Sequence, residues 1–209
     1  LLVFIIITVA LGVAMVFAYQ FPQRCEGPVL VSSGGLGQEV SPLLRLLSLP
    51  GSDYVVPLGT FPGLTNTVSR VGGVLSRLGL QLSPRADELW QCYSSLGSQD
   101  ARQAFLSTLR EVVDFQGQRV SAVDRLYLAS QVPVMIVWGS NDEIIPVEHA
   151  RAAHRQMPGS RLEVFDGVGH FPHAEQSHRF VGLVDDFIAQ NKPARVSAAT
   201  WRKLLEDRT

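Results

Sequence analysis

The stretch from Val132 to Trp138, VPVMIVW, constrains the fold of this chain more than any other. It is apolar on both of its alternating faces, and Gly139 stops it. A strand buried on both faces belongs inside a parallel sheet, because the crossovers that parallel strands require lay helices over each side. The residues that follow fit that plan. Pro146 opens a helix that runs to about Gln156 and stops at Pro158-Gly159. Arg161 to Phe165 is a second strand, which leads into the loop Asp166-Gly167-Val168-Gly169-His170. Phe180, Leu183, Val184, Phe187 and Ile188 then recur at i, i+3, i+4, i+7 and i+8, one wide apolar face of a helix ended by Asn191-Lys192-Pro193. Upstream, Val29-Leu30-Val31 reads as a buried strand stopped by Ser32-Ser33-Gly34-Gly35. Strand, insertion, strand, helix, strand, helix is the order of an α/β protein.

Residues 36–130 lack strand alternation, except for a short run at Tyr54-Val55-Val56, and read as several helices. Ser83 before Pro84 is an N-cap with proline at the first helical position. Ser98-Gln99-Asp100 opens another helix, and Leu106, Leu109 and Val113 follow at helical spacing. Gly51, Pro57, Gly59, Pro62 and Gly63 mark a flexible entry to this region. Trp90, Tyr93 and Phe105 read as its core aromatics, with substrate lining as the second reading. The polar tail 194–209 carries Trp201, Leu204 and Leu205 on one helical face, a short helix loosely docked or free.

Composition narrows the function classes. The chain is 46% hydrophobic and 18% charged, with net charge −1, so a packed core is expected and a nucleic-acid surface is not. Cys25 and Cys92 lie far apart without CxxC spacing and read as reduced, partly buried thiols. No metal ligand set and no cofactor motif stand out. His170 and His173 have proline between them and no third ligand. His149 and His154 read as solvated residues of the helix after Gly139, and Ser32 and Ser33 as turn hydroxyls.

Residues 1–19, LLVFIIITVALGVAMVFAY, carry no charge. About 19 apolar residues come close to spanning a bilayer core. Two readings compete: strand, bend and helix, or one continuous helix from about Ile5 to Ala18 that is able to enter a membrane. With no turn residue between Leu1 and Leu11, the second is the expectation. The first residue is Leu, not Met, so a processed product or a fragment is expected.

Asp142 and His170 follow two successive strands, so their loops should share the carboxyl rim of the sheet, where functional groups collect. A histidine held by a carboxylate is the acid–base half of a nucleophilic triad. The alternative on local pattern is an Asp142 that closes an Asx-type turn beside an ordinary loop histidine. Pattern alone leaves both open.

The segments VPVMIVWGSNDEIIP and RLEVFDGVGHFPHAEQSHRF closely resemble the end of the α/β-hydrolase fold. The family's Gly-x-x-Asp after its seventh strand matches Gly139-Ser140-Asn141-Asp142, and its Gly-His after the eighth matches Gly169-His170, continued by Phe171-Pro172-His173. PVLVSSGGLG resembles the sixth strand and the turn into the cap, and GVAMVFAYQFPQRC the helix after the nucleophile. The resemblance covers about residues 12–190 and implies a partial α/β-hydrolase fold: a short parallel sheet of about three to four strands, flanked by helices, with a helical cap insertion. It implies an apolar segment 1–20, a core of 21–49 with 130–191, a cap of 50–129 and a tail of 192–209. Asp142 and His170 become the catalytic acid and base.

The family's Gly-x-Ser-x-Gly elbow is not matched. Its serine aligns with Thr8, its glycines with Ile6 and Ala10, and residues 1–11 hold neither serine nor glycine. A β-branched residue suits a strained elbow poorly. The loop that supplies the second oxyanion donor has no counterpart here, and losing one such donor costs about 3 kcal/mol of transition-state stabilisation. The resemblance therefore implies a family that hydrolyses ester or C–C bonds of small apolar substrates in the cytoplasm without a cofactor, and a truncated chain that is weakly active or inactive. The alternative is a non-catalytic interaction protein on the same half-fold, membrane-anchored through residues 1–19. An apolar sheet edge, at residues 1–7 or at Val29–Val31, would favour self-association.

Overall fold

The computed structural model describes residues 5–7, 27–59, 70, 83–124, 126–127 and 132–191. The chain divides into two compact units, one drawn from Leu1–Glu39 and Val120–Thr209, the other from Val40–Arg119.

The first unit holds the sheet. Its strands are β1 (Ile5–Ile7), β2 (Val29–Val31), β3 (Met135–Gly139) and β4 (Arg161–Phe165), parallel and in that spatial order among the described residues. Neighbours are in simple register: Ile5 faces Val29, Val29 faces Met135, and Met135 faces Arg161. Three helices accompany them among the described residues: α5 (Glu148–Gln156), α6 (Pro172–Glu175) and α7 (Ser177–Gln190).

The two-faced burial expected of the central strands is present. Val29, Val31, Met135, Val137 and Phe165 pack with Phe180, Val184 and Phe187 of α7, and Leu183 and Ile188 lie against the same cluster. Leu30, Ile136 and Trp138 alternate to the other face and are also buried. Each such side chain is worth about 1.5–3 kcal/mol of apolar burial. The Trp138 indole N–H donates to the Ile145 carbonyl at 3.1 Å, which satisfies the one polar atom this residue brings inside. Helix α5 touches β3 and β4 and buries Ala150 and Ala153.

One expectation fails here. Ile5–Ile7 form a strand, not the start of a continuous helix. Three β-branched residues gain a ladder with Val29–Val31, and an evenly apolar run carries no period that would have announced it. Val29–Val31 is consequently paired on both sides, and β1 stands at one end of the strand order. The remainder of the helix expected from about Ile5 to Ala18, together with Thr8, Cys25 and the tail 192–209, lies outside the described residues. Among the described residues no helix is long and apolar enough to cross a membrane.

The second unit is helical: α1 (Pro42–Ser48), α2 (Ser52–Gly59), α3 (Pro84–Ser95) and α4 (Gln99–Val112) among the described residues. It begins earlier and ends earlier than the expected 50–129. Helices α1, α2 and α4 contact one another, whereas the Ala122 N–H already bonds back to the Gly35 carbonyl of the sheet unit at 2.9 Å. The serine caps form as expected: Ser83 Oγ accepts from the Ala86 N–H and Ser98 Oγ from the Ala101 N–H. Leu106, Leu109 and Val113 are buried. Tyr54-Val55-Val56 is helical, not extended, with Tyr54 and Val55 exposed. Arg110 ties α4 to α2 by donating to the Asp53 carboxylate and to Ser52 Oγ, and its hydrogen bond holds the Asp53 carboxyl below its ordinary range. Cys92 is an exposed residue, although its thiol is partly withdrawn from water, which raises its pKa.

Candidate active site

Strands β3 and β4 end side by side, with Gly139 opposite Phe165. The loops that leave them are bound together from the first residue. The Ser140 N–H donates to the Phe165 carbonyl and the Asn141 N–H to the Val168 carbonyl, both at 2.9 Å. Gly139 makes that approach possible. A Cβ there would lie 2.0 Å from the Gly169 carbonyl oxygen and 2.3 Å from that of Val168. Gly167 takes a positive φ of 72°, which turns the β4 loop back towards the rim.

Asp142 and His170 meet in this frame. Asp142 Oδ2 accepts from His170 Nδ1 at 2.7 Å. Asp142 Oδ1 accepts from the Ile144 and Ile145 N–H groups, each at 2.9 Å. One carboxylate thus makes both kinds of contact, one oxygen closing an Asx-type turn while the other holds the imidazole. The turn serves the pair, since two backbone donors hold the carboxylate that faces the histidine. The side chains are 3% (His170) and 0% (Asp142) exposed, so water competes little for the bond. Phe171 lies edge-on to the His170 ring at 5.1 Å between centroids. With the Nδ1 proton on the carboxylate side, Nε2 is the ring nitrogen that Asp142 does not hold.

The other singled-out residues fall elsewhere. His149 is not solvated: it is 5% exposed, and its Nε2 lies 2.6 Å from Glu39 Oε2. Its ring fills the space left by Gly37, where a Cβ would come within 2.4 Å of it. The small residues Ala150 and Ala153 share its buried face and give too weak an apolar signal to mark that face in the sequence. His154 is partly buried too, its Nδ1 2.8 Å from Ser160 Oγ. Ser32, at the end of β2, is fully buried at a positive φ of 43°, and its hydroxyl has no hydrogen-bond partner among the described residues. Ser33 Oγ donates to the Val31 carbonyl. Sequence reasoning passed over Ser140 and Glu175, both of which bond to the histidine loop. Neither belongs to a pattern, and only the meeting of two loops gives them partners.

A parallel sheet with a buried aspartate–histidine pair at its carboxyl rim defines the class: an α/β protein of hydrolase type. Residues 4–183 match the alpha/beta hydrolase family, and the chain belongs to it. It is 40% identical over 196 residues to an uncharacterised protein of Mycobacterium tuberculosis, an alignment that takes in 93% of this chain and 58% of that protein. It is 27% identical over 188 residues to a 2-hydroxy-6-oxononadienedioate/2-hydroxy-6-oxononatrienedioate hydrolase of Pseudomonas putida, covering 84% of this chain and 58% of the relative. The chain thus spans about 58% of the length of these curated relatives. Among solved structures, a thermophilic esterase from Thermogutta terrifontis shares the fold with a TM-score of 0.60 at 19% identity, over 90% of this chain and 65% of the esterase. A meta-cleavage product hydrolase from Pseudomonas fluorescens does so with a TM-score of 0.56 at 19% identity, over 86% and 61%.

Proposed function

We propose that this chain carries the acid–base half of a hydrolase site, His170 as general base and Asp142 as the carboxylate that orients it, for cleaving an ester or a C–C bond of a small apolar molecule. The observation that carries the reading is the 2.7 Å bond between two side chains almost wholly withdrawn from water. In the cycle, His170 Nε2 takes the proton of an attacking hydroxyl as the new bond to the substrate carbonyl carbon forms. It then returns the proton to the leaving group, while Asp142 balances the imidazolium charge. Both bond types suit one base, because each is broken through attack at a carbonyl. The Pseudomonas putida relative, a 2-hydroxy-6-oxononadienedioate/2-hydroxy-6-oxononatrienedioate hydrolase, supports hydrolysis of a small carbonyl compound. The helical unit corresponds, on this reading, to the family's cap.

Residues 1–11 hold no serine, and Thr8 stands where the family's nucleophile aligns. Weak turnover is therefore expected, and a second reading, an interaction protein that keeps the pair without using it, follows from the same observation. Hydrolysis of p-nitrophenyl acetate by the wild type and by His170→Ala separates them. The proposal expects slow turnover that falls roughly 100-fold or more in the variant. Equal rates in both proteins would overturn it in favour of the second reading.

A further inference from the structure

The β4 loop has to hold His170 against Asp142, yet two of the residues just before the histidine, Gly167 and Gly169, bring no side chain to wedge it in place. Its three successive amides are instead tied down one by one. The Gly167 N–H donates to Ser140 Oγ at 2.8 Å, the Val168 N–H to the Phe165 carbonyl at 3.4 Å, and the Gly169 N–H to Glu175 Oε1 at 3.0 Å. Ser140 Oγ in turn donates to Asp166 Oδ1 at 3.2 Å. The bond at Gly169 stands apart for two reasons. It lies on the residue adjacent to His170, and it is partly buried, whereas the bonds of Ser140 are exposed and open to replacement by water.

We propose that Glu175 is a positioning residue for His170, acting through the Gly169 amide, with Ser140 a weaker second clip. Glu175 sits at the end of α6, the short helix that starts two residues after the histidine, so its carboxylate closes a ring around the Gly169–Phe171 turn. The ring fixes the backbone on both sides of His170. The imidazole then has only its own two torsions to settle, and the Asp142 bond settles them. Hydrogen bonding does the work, because the Glu175 carboxylate accepts directly from the Gly169 backbone N–H. The assignment rests on the active-site reading above and adds a residue to it.

The test uses proton and nitrogen NMR of the full chain with labelled histidine, and does not depend on turnover. The wild type should show a far-downfield Nδ1–H resonance from His170, absent in Asp142→Asn. Glu175→Gln keeps an amide oxygen that can accept from Gly169 and should preserve the resonance and its slow exchange with water. Glu175→Ala, checked for folding by its thermal melt, should speed that exchange roughly tenfold, and Ser140→Ala by less. Equal effects from Gln and Ala would assign the role to charge and overturn the proposal, as would an unchanged resonance in Glu175→Ala. A wild type without the resonance would remove the pair itself, sinking the active-site reading and this assignment together. A normal wild-type signal with an indifferent Glu175 would sink the assignment alone.

Discussion

Replacing Gly139 by alanine should damage the site and the sheet in one stroke. The added Cβ would meet the Gly169 carbonyl oxygen at 2.0 Å, the Val168 oxygen at 2.3 Å and the Val168 carbonyl carbon at 2.7 Å. All three are backbone atoms of the loop that carries His170, so no flexible side chain can swing away. Ordinary contact begins near 3.4 Å, so the Gly169 carbonyl would have to retreat by about 1.4 Å, the difference between 3.4 and 2.0 Å. A shift of that size breaks the 2.9 Å bond from Asn141 to Val168 and pulls His170 from its 2.7 Å contact with Asp142. Overpacking costs about 1–3 kcal/mol and each lost hydrogen bond about 1 kcal/mol, giving roughly 3–5 kcal/mol for the sheet unit. At an m-value of about 2 kcal/mol/M, the urea midpoint should fall by roughly 1.5–2.5 M. Trp138, fully buried on the same strand, reports the transition by fluorescence once Trp90 and Trp201 are changed to phenylalanine. Gly159→Ala is the control, since nothing lies within 4 Å of its would-be Cβ and its φ is ordinary. A Gly139→Ala midpoint within about 0.5 M of wild type would refute the claim that the two loops are locked by steric contact.

Two further outcomes follow from the structure. Ser32→Ala removes a buried hydroxyl that has no partner among the described residues, so it should leave stability unchanged or raise it by up to about 1 kcal/mol; a loss of more than about 1 kcal/mol in the same urea assay would show that the hydroxyl is satisfied in solution. Desolvation and then the Glu88 carboxylate one turn earlier raise the Cys92 thiol above its ordinary range, so less thiolate is present at any given pH. Its rate of reaction with a disulfide reagent should therefore rise at higher pH than for a free thiol, and Glu88→Gln should move the profile to lower pH; an unmoved profile would remove Glu88 as a cause.

Much of the frame was written in local patterns. Val132–Trp138 announced a buried parallel strand, Phe180 to Ile188 the helix that covers it, and Ser83 and Ser98 the starts of two more, because periodicity and capping act within a turn or two of chain. The positions of Asp142 and His170 after neighbouring strands were legible for the same reason. What the local pattern lacked was any sign of partners distant in the chain. Ile5–Ile7 became a strand only by pairing with Val29–Val31, His149 was buried only because Gly37 and Glu39 close over it, and Ser140, Gly139 and Glu175 gained their roles only where two loops meet. Sequence by itself determined the elements and the two chemical groups. Tertiary structure decided the 2.7 Å contact and everything that holds it, because a hydrogen bond depends on ångström-scale distance and angle, which spacing along a chain does not encode.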